Sequence, residues 1–416
     1  MKKSSVGTTR RKRKTEIILN AGGARNCPGS ILYLGQQRPG DDPLGIFRDF
    51  SHKPRDVAAQ LVFGGCSHYE NALEIMGGAC WPLMWMQGDS CDGRHVAGTQ
   101  ALVARGADIR RLEWDGRIIG SSWSDADADY CCMAGVLPDD LTAPRAVQTL
   151  QVFQRMERTL AVAGMEFRDV VRTWLFLDHL LDWYGEFNAV RTEFFQKHGI
   201  FDHIVPASTG IGARNTDGAA LVAGAIAIRP KHAGVTIRSV DSPLQCPAPN
   251  YRSSFSRAVE LAYPDRRHLM VSGTASIAPD GSTMYLGDSE AQINLTLKVV
   301  QAILESRGMT WRSVVRGIAY FENMTDVPLF ADCCRYHGIT DLPVIEAHAT
   351  VCRSDLLFEL EVDAVDNTTI TKGCRNFFTN STPTTKDREP RAAPRKDKRL
   401  FPRCPRKEPI STKLAS

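Results

Sequence analysis

Gly164-Met165-Glu166-Phe167-Arg168-Asp169-Val170-Val171-Arg172 and Gly308-Met309-Thr310-Trp311-Arg312-Ser313-Val314-Val315-Arg316 agree at six of nine positions, at one offset of 144 residues. Identity held in register over such a stretch marks an internal duplication. Working outward, Gln148 pairs with Gln292 and Leu160 with Leu304 at the same offset, so the preceding helices align without gaps. In the first copy the apolar pattern predicts a hairpin at 109–113 and 117–123 around Asp115-Gly116, and a third strand at 130–136. An amphipathic helix over 146–163 follows, with Leu150, Phe153, Met156 and Leu160 expected on its buried face. Next come a strand at 173–177, a helix over 183–198, and a final hairpin from 206–212 to 221–228. In the second copy Val271-Ser272-Gly273 corresponds to Met133-Ala134-Gly135. This order of strands and helices is not an all-parallel pattern; it predicts an α+β fold of two tandem units, each a mixed sheet with helices packed on one face.

The last strand of the second copy separates the two. In Cys352-Arg353-Ser354-Asp355-Leu356-Leu357-Phe358-Glu359-Leu360-Glu361, period-two alternation puts Phe358, Leu360 and Val362 on one face and Glu359, Glu361 and Asp363 on the other. Read from periodicity alone, the acidic face is solvated. The first copy, however, has Val222 where the second has Glu359, and Gly224 where it has Glu361. Two copies with the same packing needs should not differ this way, so Glu359 becomes a candidate for a site that only the second copy carries.

Composition bounds the remainder. The 416 residues hold 51 Lys or Arg against 47 Asp or Glu, but the ends carry the excess: residues 1–14 have seven basic and no acidic side chains, and 367–416 have thirteen against four. The body between them has a net charge of −12. Such a body lacks the basic footprint of a specific nucleic-acid binder. The expected organisation is a disordered basic arm at 1–14, a region of unknown role at 15–103, repeat units at 104–232 and 250–366, and a disordered Pro-rich basic tail at 367–416. No run is apolar and long enough for a membrane span, and no secretory signal follows the basic start, so no membrane partner and a cytoplasmic location are expected. Twelve cysteines include no C-x-x-C pair, and His68-Tyr69-Glu70 has no accompanying P-C-x-x-C, so neither a metal nor another cofactor is indicated.

These residues carry a resemblance. The Ser272-Gly273 step, the Gly-Met-x-x-x-x-Val-Val-Arg joins, Pro206-Ala207 and the Glu359-Leu360-Glu361 strand resemble the RidA (YjgF) superfamily, also labelled endoribonuclease L-PSP or translation initiation inhibitor, over about residues 104–366. That resemblance implies a chorismate mutase-like fold. RidA-type imine deaminases place an arginine after the Pro-Ala step; here Ser208 stands there in the first copy and Ile345 or Glu346 in the second. Within the superfamily the chain looks like the tandem chorismatases, at 206–212, at Arg172-Thr173-Trp174, at the Tyr184, Phe187, Arg191 spacing and at 352–359. The resemblance implies Glu359 and Cys352 as catalytic residues, and Gly273 and Ala275 as small pocket-lining residues. Arg353 and Arg191 are the candidates for clamping a small carboxylate substrate. Glu322 and Glu346 stand where the family leads one to expect a basic and an aromatic residue, and would add negative charge near a dianion. The implied activity is removal of pyruvate from chorismate or a similar enol ether, as a lyase or hydrolase. The alternatives are an imine or enamine deaminase and a non-catalytic small-molecule binder. RidA units assemble around shared clefts, so tandem copies imply a pseudo-symmetric ring or a homo-oligomer.

Overall fold

The computed structural model describes residues 14–20, 29–36, 42–50, 52–88, 96–248 and 253–366; the arm at 1–13, the Asp92-Gly93 turn and the tail at 367–416 lie outside the described residues. The chain builds three mixed sheets. The first comprises β1 (Lys14–Asn20), β2 (Gly29–Gln36), β3 (Val57–Gly64), β4 (Leu83–Met86) and β5 (Val96–Arg105), with α1 (Gly45–Arg48) ahead of β3 and α2 (Tyr69–Ile75) ahead of β4. The second holds β6 (Arg110–Trp114), β7 (Arg117–Ser124), β8 (Ala128–Val136), α3 (Arg145–Val162), β9 (Val170–Leu177), α4 (Leu180–Lys197), β10 (Ala207–Gly212) and β11 (Leu221–Pro230). The third holds β12 (Thr236–Val240), β13 (Ala258–Ala262), β14 (Arg267–Ala275), α5 (Ser289–Ser306), β15 (Val314–Phe321), α6 (Val327–Tyr336), β16 (Val344–His348) and β17 (Phe358–Asp366). Among the described residues no helix is long and apolar enough to cross a membrane.

The duplication is reproduced element by element. Helices α3 and α5, and strands β9 and β15, begin and end 144 residues apart. Each helix stops at a glycine with positive φ, Gly164 at 72° and Gly308 at 69°, a conformation that a Cβ would strain. Gln148 and Gln292 also act alike, since each side-chain oxygen accepts the backbone N–H just ahead of the last strand, from Ala220 and Leu357 respectively.

The first sheet has the same wiring. In the orders β1-β2-β5-β3-β4, β10-β9-β11-β8-β7-β6 and β12-β13-β14-β17-β15-β16, the last strand of each unit lies between the strand before the first helix and the strand after it. That latter strand then pairs in parallel with its neighbour across a helical crossover. Residues 14–105 are thus a third repeat of the topology, with the four-residue α1 where the others have an 18-residue helix. Without that helix the period-3.6 signal is lost, which is why the repeat is invisible in the sequence.

Two local expectations are corrected. The segments 207–212 and 221–230 form no hairpin, because β9 lies between them; β10 pairs with β9 in parallel and β11 with β9 antiparallel. Leu150 is 39% exposed. Three-residue steps fall short of a full turn, so Leu150 lies about 100° from the centre of the stripe formed by Val152, Phe153, Met156 and Leu160.

Each long-helix unit buries its helices against the outer face of its own sheet. The inner faces close on one another, and one core draws on Leu61 and Phe63 from the first unit, Trp174 and Phe176 from the second, and Ile318 and Tyr320 from the third. The acidic face of β17 therefore lies inside the protein and not on its outer surface. Glu359, Glu361 and Asp363 are all buried, contrary to the solvated face that alternation alone suggests, because β17 is central in its sheet and covered on both sides.

Candidate active site

Between the second and third units lies a cavity of about 890 Å³, within the range of small-molecule sites. Backbone pairing closes the seam around it: Gly212 and Thr350 exchange hydrogen bonds of 2.8 and 3.0 Å, and the Ser208 N–H donates to the Ser272 hydroxyl at 2.9 Å. Lining residues come from α4, β10, β14, the 352–353 loop and β17. Glu359, Cys352, Arg353, Arg191, Gly273 and Ala275 all line it.

Glu359 is the buried acid of the lining. β14 pairs with β17 so that Ala275 lies opposite Glu359, and between Val271 and Thr274 the register slips by a bulge. The equivalent bulge lies opposite Ala223–Ala225 in the second unit, at the place expected from Met133-Ala134-Gly135. The slip turns Gly273 towards the acid: a Cβ there would overlap Oε1 and lie 2.9 Å from Cδ of Glu359. Only glycine leaves room for the carboxyl.

Further along the same face of β17 from Glu359 lies a buried ion network. Glu361 is held by Arg172 at 2.7 Å, by Arg316, by the Trp174 indole N–H at 3.0 Å and by the Thr209 hydroxyl. Arg316 also pairs with Asp363 at 2.8 Å, and Gln100 of the first unit accepts from the Arg316 Nε at 2.9 Å. Burial alone would raise the Asp363 carboxyl, but Arg316 and His268 hold it well below the usual range. Glu359 stands apart from these pairs, with no hydrogen-bond partner among the described residues. Burial, and then the charge of Glu361, push it up to about 8 against the pull of Arg257 and Arg172. It is a neutral carboxylic acid at pH 7, open to the cavity.

The other residues sit around it. Burial, then the charge of Glu359, push the Cys352 thiol up to about 12. Arg191 is 2% exposed, donates to the Asn188 side chain at 2.6 Å and lies 5.1 Å over the Phe187 ring. Arg353 donates to the Gly281 carbonyl at 2.7 Å from a loop at the cavity wall.

Residues 128–233 match the family model described as Endoribonuclease L-PSP. A solved chorismatase structure superposes with a TM-score of 0.55 over 80% of this chain and 98% of that one, at 17% identity. A 3-hydroxybenzoate synthase from Streptomyces hygroscopicus is 26% identical over 264 residues, 56% of this chain and 74% of that protein. A chorismatase from Streptomyces rapamycinicus is 26% identical over 225 residues, covering 48% and 65%. The chain is similar to the chorismatases.

Several lining residues of the cleft escaped sequence reading. Arg257, held by the Cys246 carbonyl at 2.9 and 3.0 Å, follows a stretch without periodicity. Tyr184 marked the resemblance but not the site; its hydroxyl would lie 3.5 Å from a Cβ on Gly210, and burial followed by Cys352 raises its pKa. Glu322 and Glu346 are not among the lining residues; Glu322 accepts the Val351 N–H at 3.2 Å and so braces the segment that leads into Cys352. The second-copy counterpart of Ser208 is Val344, not Ile345 or Glu346: Ser208 pairs with Thr173, and Val344 pairs with Gly317, 144 residues on. Among the described residues no group of His, Cys, Asp and Glu is arranged to hold a metal ion.

Proposed function

We propose that this protein is a chorismatase-like enzyme, removing pyruvate from chorismate or a similar enol ether to give a hydroxybenzoate-type product. One observation carries the reading: Glu359 is a buried, neutral, unpartnered carboxylic acid facing a cavity that also presents Arg191, Arg257 and Arg353.

An enol ether is stable to bases and breaks when its methylene carbon is protonated. Glu359, held near pKa 8, keeps its proton at neutral pH and delivers it to that carbon; the carboxylate left behind stabilises the cationic carbon that forms. Arginine suits the two carboxylates of chorismate, because its planar fork binds them bidentately. Arg257 lines the cavity and its charge acts on Glu359, which supports it as the partner of the enolpyruvyl carboxylate. To a hydroxybenzoate and pyruvate, chorismate divides with no water consumed, whereas a ring diol requires one. Cys352, a neutral thiol that lines the cavity with Glu359, is our candidate for moving a ring proton on the first route.

The deaminase reading lacks its arginine, since the place after Pro-Ala holds Ser208 and its counterpart is Val344. The test is to incubate the protein with chorismate and measure pyruvate. Release that Glu359→Gln abolishes supports the proposal. Ammonia from imine substrates without pyruvate from chorismate supports deamination, and silence on both supports a binding role.

A further inference from the structure

At the centre of the shared core, Phe63, Phe176 and Tyr320 occupy equivalent places in the three units. Ring centroids are 5.7 Å apart for Phe63 and Phe176 and 5.9 Å for Phe63 and Tyr320, and Phe176 and Tyr320 are related by the 144-residue offset. Two of the three are plain hydrocarbon. The third carries a hydroxyl, with 0% of the residue exposed and no hydrogen-bond partner for the oxygen, in a place where the charges of Glu361, Arg316, Glu359 and Arg172 act on it. An unsatisfied buried hydroxyl is destabilising, and phenylalanine fills the same place twice. The unit with the tyrosine is also the one with the acid. In the antiparallel pairing of β15 and β17, Tyr320 lies directly opposite Glu359, so the two side chains stand on one face of the sheet. The counterparts of that pair are Phe176 opposite Val222 and Phe63 opposite Gly98, with neither hydroxyl nor acid.

We propose that Tyr320 is a positioning residue for Glu359, its hydroxyl unused while the acid is neutral and donating to the carboxylate as the proton departs. This rests on the reading of Glu359 as proton donor. An interaction absent from the ground state and made as charge develops lowers the barrier without tightening substrate binding. Burial keeps the phenol itself protonated, so it acts as a donor throughout.

The test compares wild type, Tyr320→Phe, Glu359→Gln and the variant carrying both changes. Tyr320→Phe recreates the residue of the other two units, so the fold is expected to unfold at an equal or higher temperature. With chorismate its kcat should fall about tenfold with KM unchanged, and the alkaline midpoint of the rate profile should rise by about one pH unit. An unchanged kcat and midpoint would make Tyr320 a space filler and overturn the inference. Unfolding midpoints measured across pH need no substrate and separate the two ideas. The difference between wild type and Glu359→Gln reports the titration of Glu359. If that difference is flat, the acid itself is misread and both ideas fall. If it is present but identical in the Tyr320→Phe background, only the role of Tyr320 falls.

Discussion

A Cβ added to Gly273 would overlap the Glu359 carboxyl, so the acid and the bulged glycine opposite it occupy one space that neither could share with a larger partner. Gly273→Ala should therefore push the carboxyl out of place while leaving its chemistry intact. A displacement of about 1 Å costs on the order of 100-fold in rate. Pyruvate release should drop by that factor with a smaller change in KM, measured by steady-state kinetics.

The pH dependence follows from the same acid. Its folded pKa is raised from an ordinary 4.5 to about 8, so the folded state holds a proton that the unfolded chain has lost. Stability from this group is fully present below pH about 4.5 and is lost as the pH rises through about 8. Catalysis needs the protonated form, so kcat should decline across pH 8 as well. Glu359→Gln should abolish the rate and flatten this part of the stability curve, read by thermal unfolding at successive pH values.

Removing the charge beside it has two consequences of different kinds. Glu361→Gln leaves Arg172 and Arg316 buried with less compensation, at a cost of about 3–5 kcal/mol in urea unfolding. It also removes the charge that, after burial, most raises Glu359. The alkaline limb of the rate profile should shift to lower pH in whatever fraction remains folded.

How much of this was legible beforehand depends on the residue. Gly164 and Gly308, with the helices and strands around them, declared the duplication because helix caps and periodicity repeat in the sequence itself. The contrast of Glu359 with Val222 was readable for the same reason. The first unit was not, since α1 is four residues long and leaves no periodic signal. Nor was the burial of Glu361 and Asp363. Alternation shows that the two faces of β17 differ, but not that a second sheet covers the acidic one. Arg257 could not be found because its position depends on a loop meeting the Cys246 carbonyl.

Three repeats raise the question of how many sites they make. At the places equivalent to Glu359 the second unit has Val222 and the first has Gly98, where a Cβ would lie 2.9 Å from the Ile345 side chain of the third unit. Gly224, equivalent to Glu361, lies against the Met84 side chain of the first unit, 3.1 Å from where its Cβ would be. At these two positions apolar side chains fill the place that the carboxyl takes in the third unit. Calorimetric titration of Glu359→Gln with chorismate should give one ligand per chain; three would contradict this.

Delivery of a proton by Glu359 is the central claim, and deuterium can trace it. Chorismate is incubated with the protein in D2O, pyruvate is trapped at once by enzymatic reduction to lactate, and the methyl group is analysed by mass spectrometry. Delivery by a solvent-exchanged Glu359 predicts one deuterium in that methyl group, and no product from Glu359→Gln. A methyl group without deuterium, or undiminished release by the variant, would contradict it.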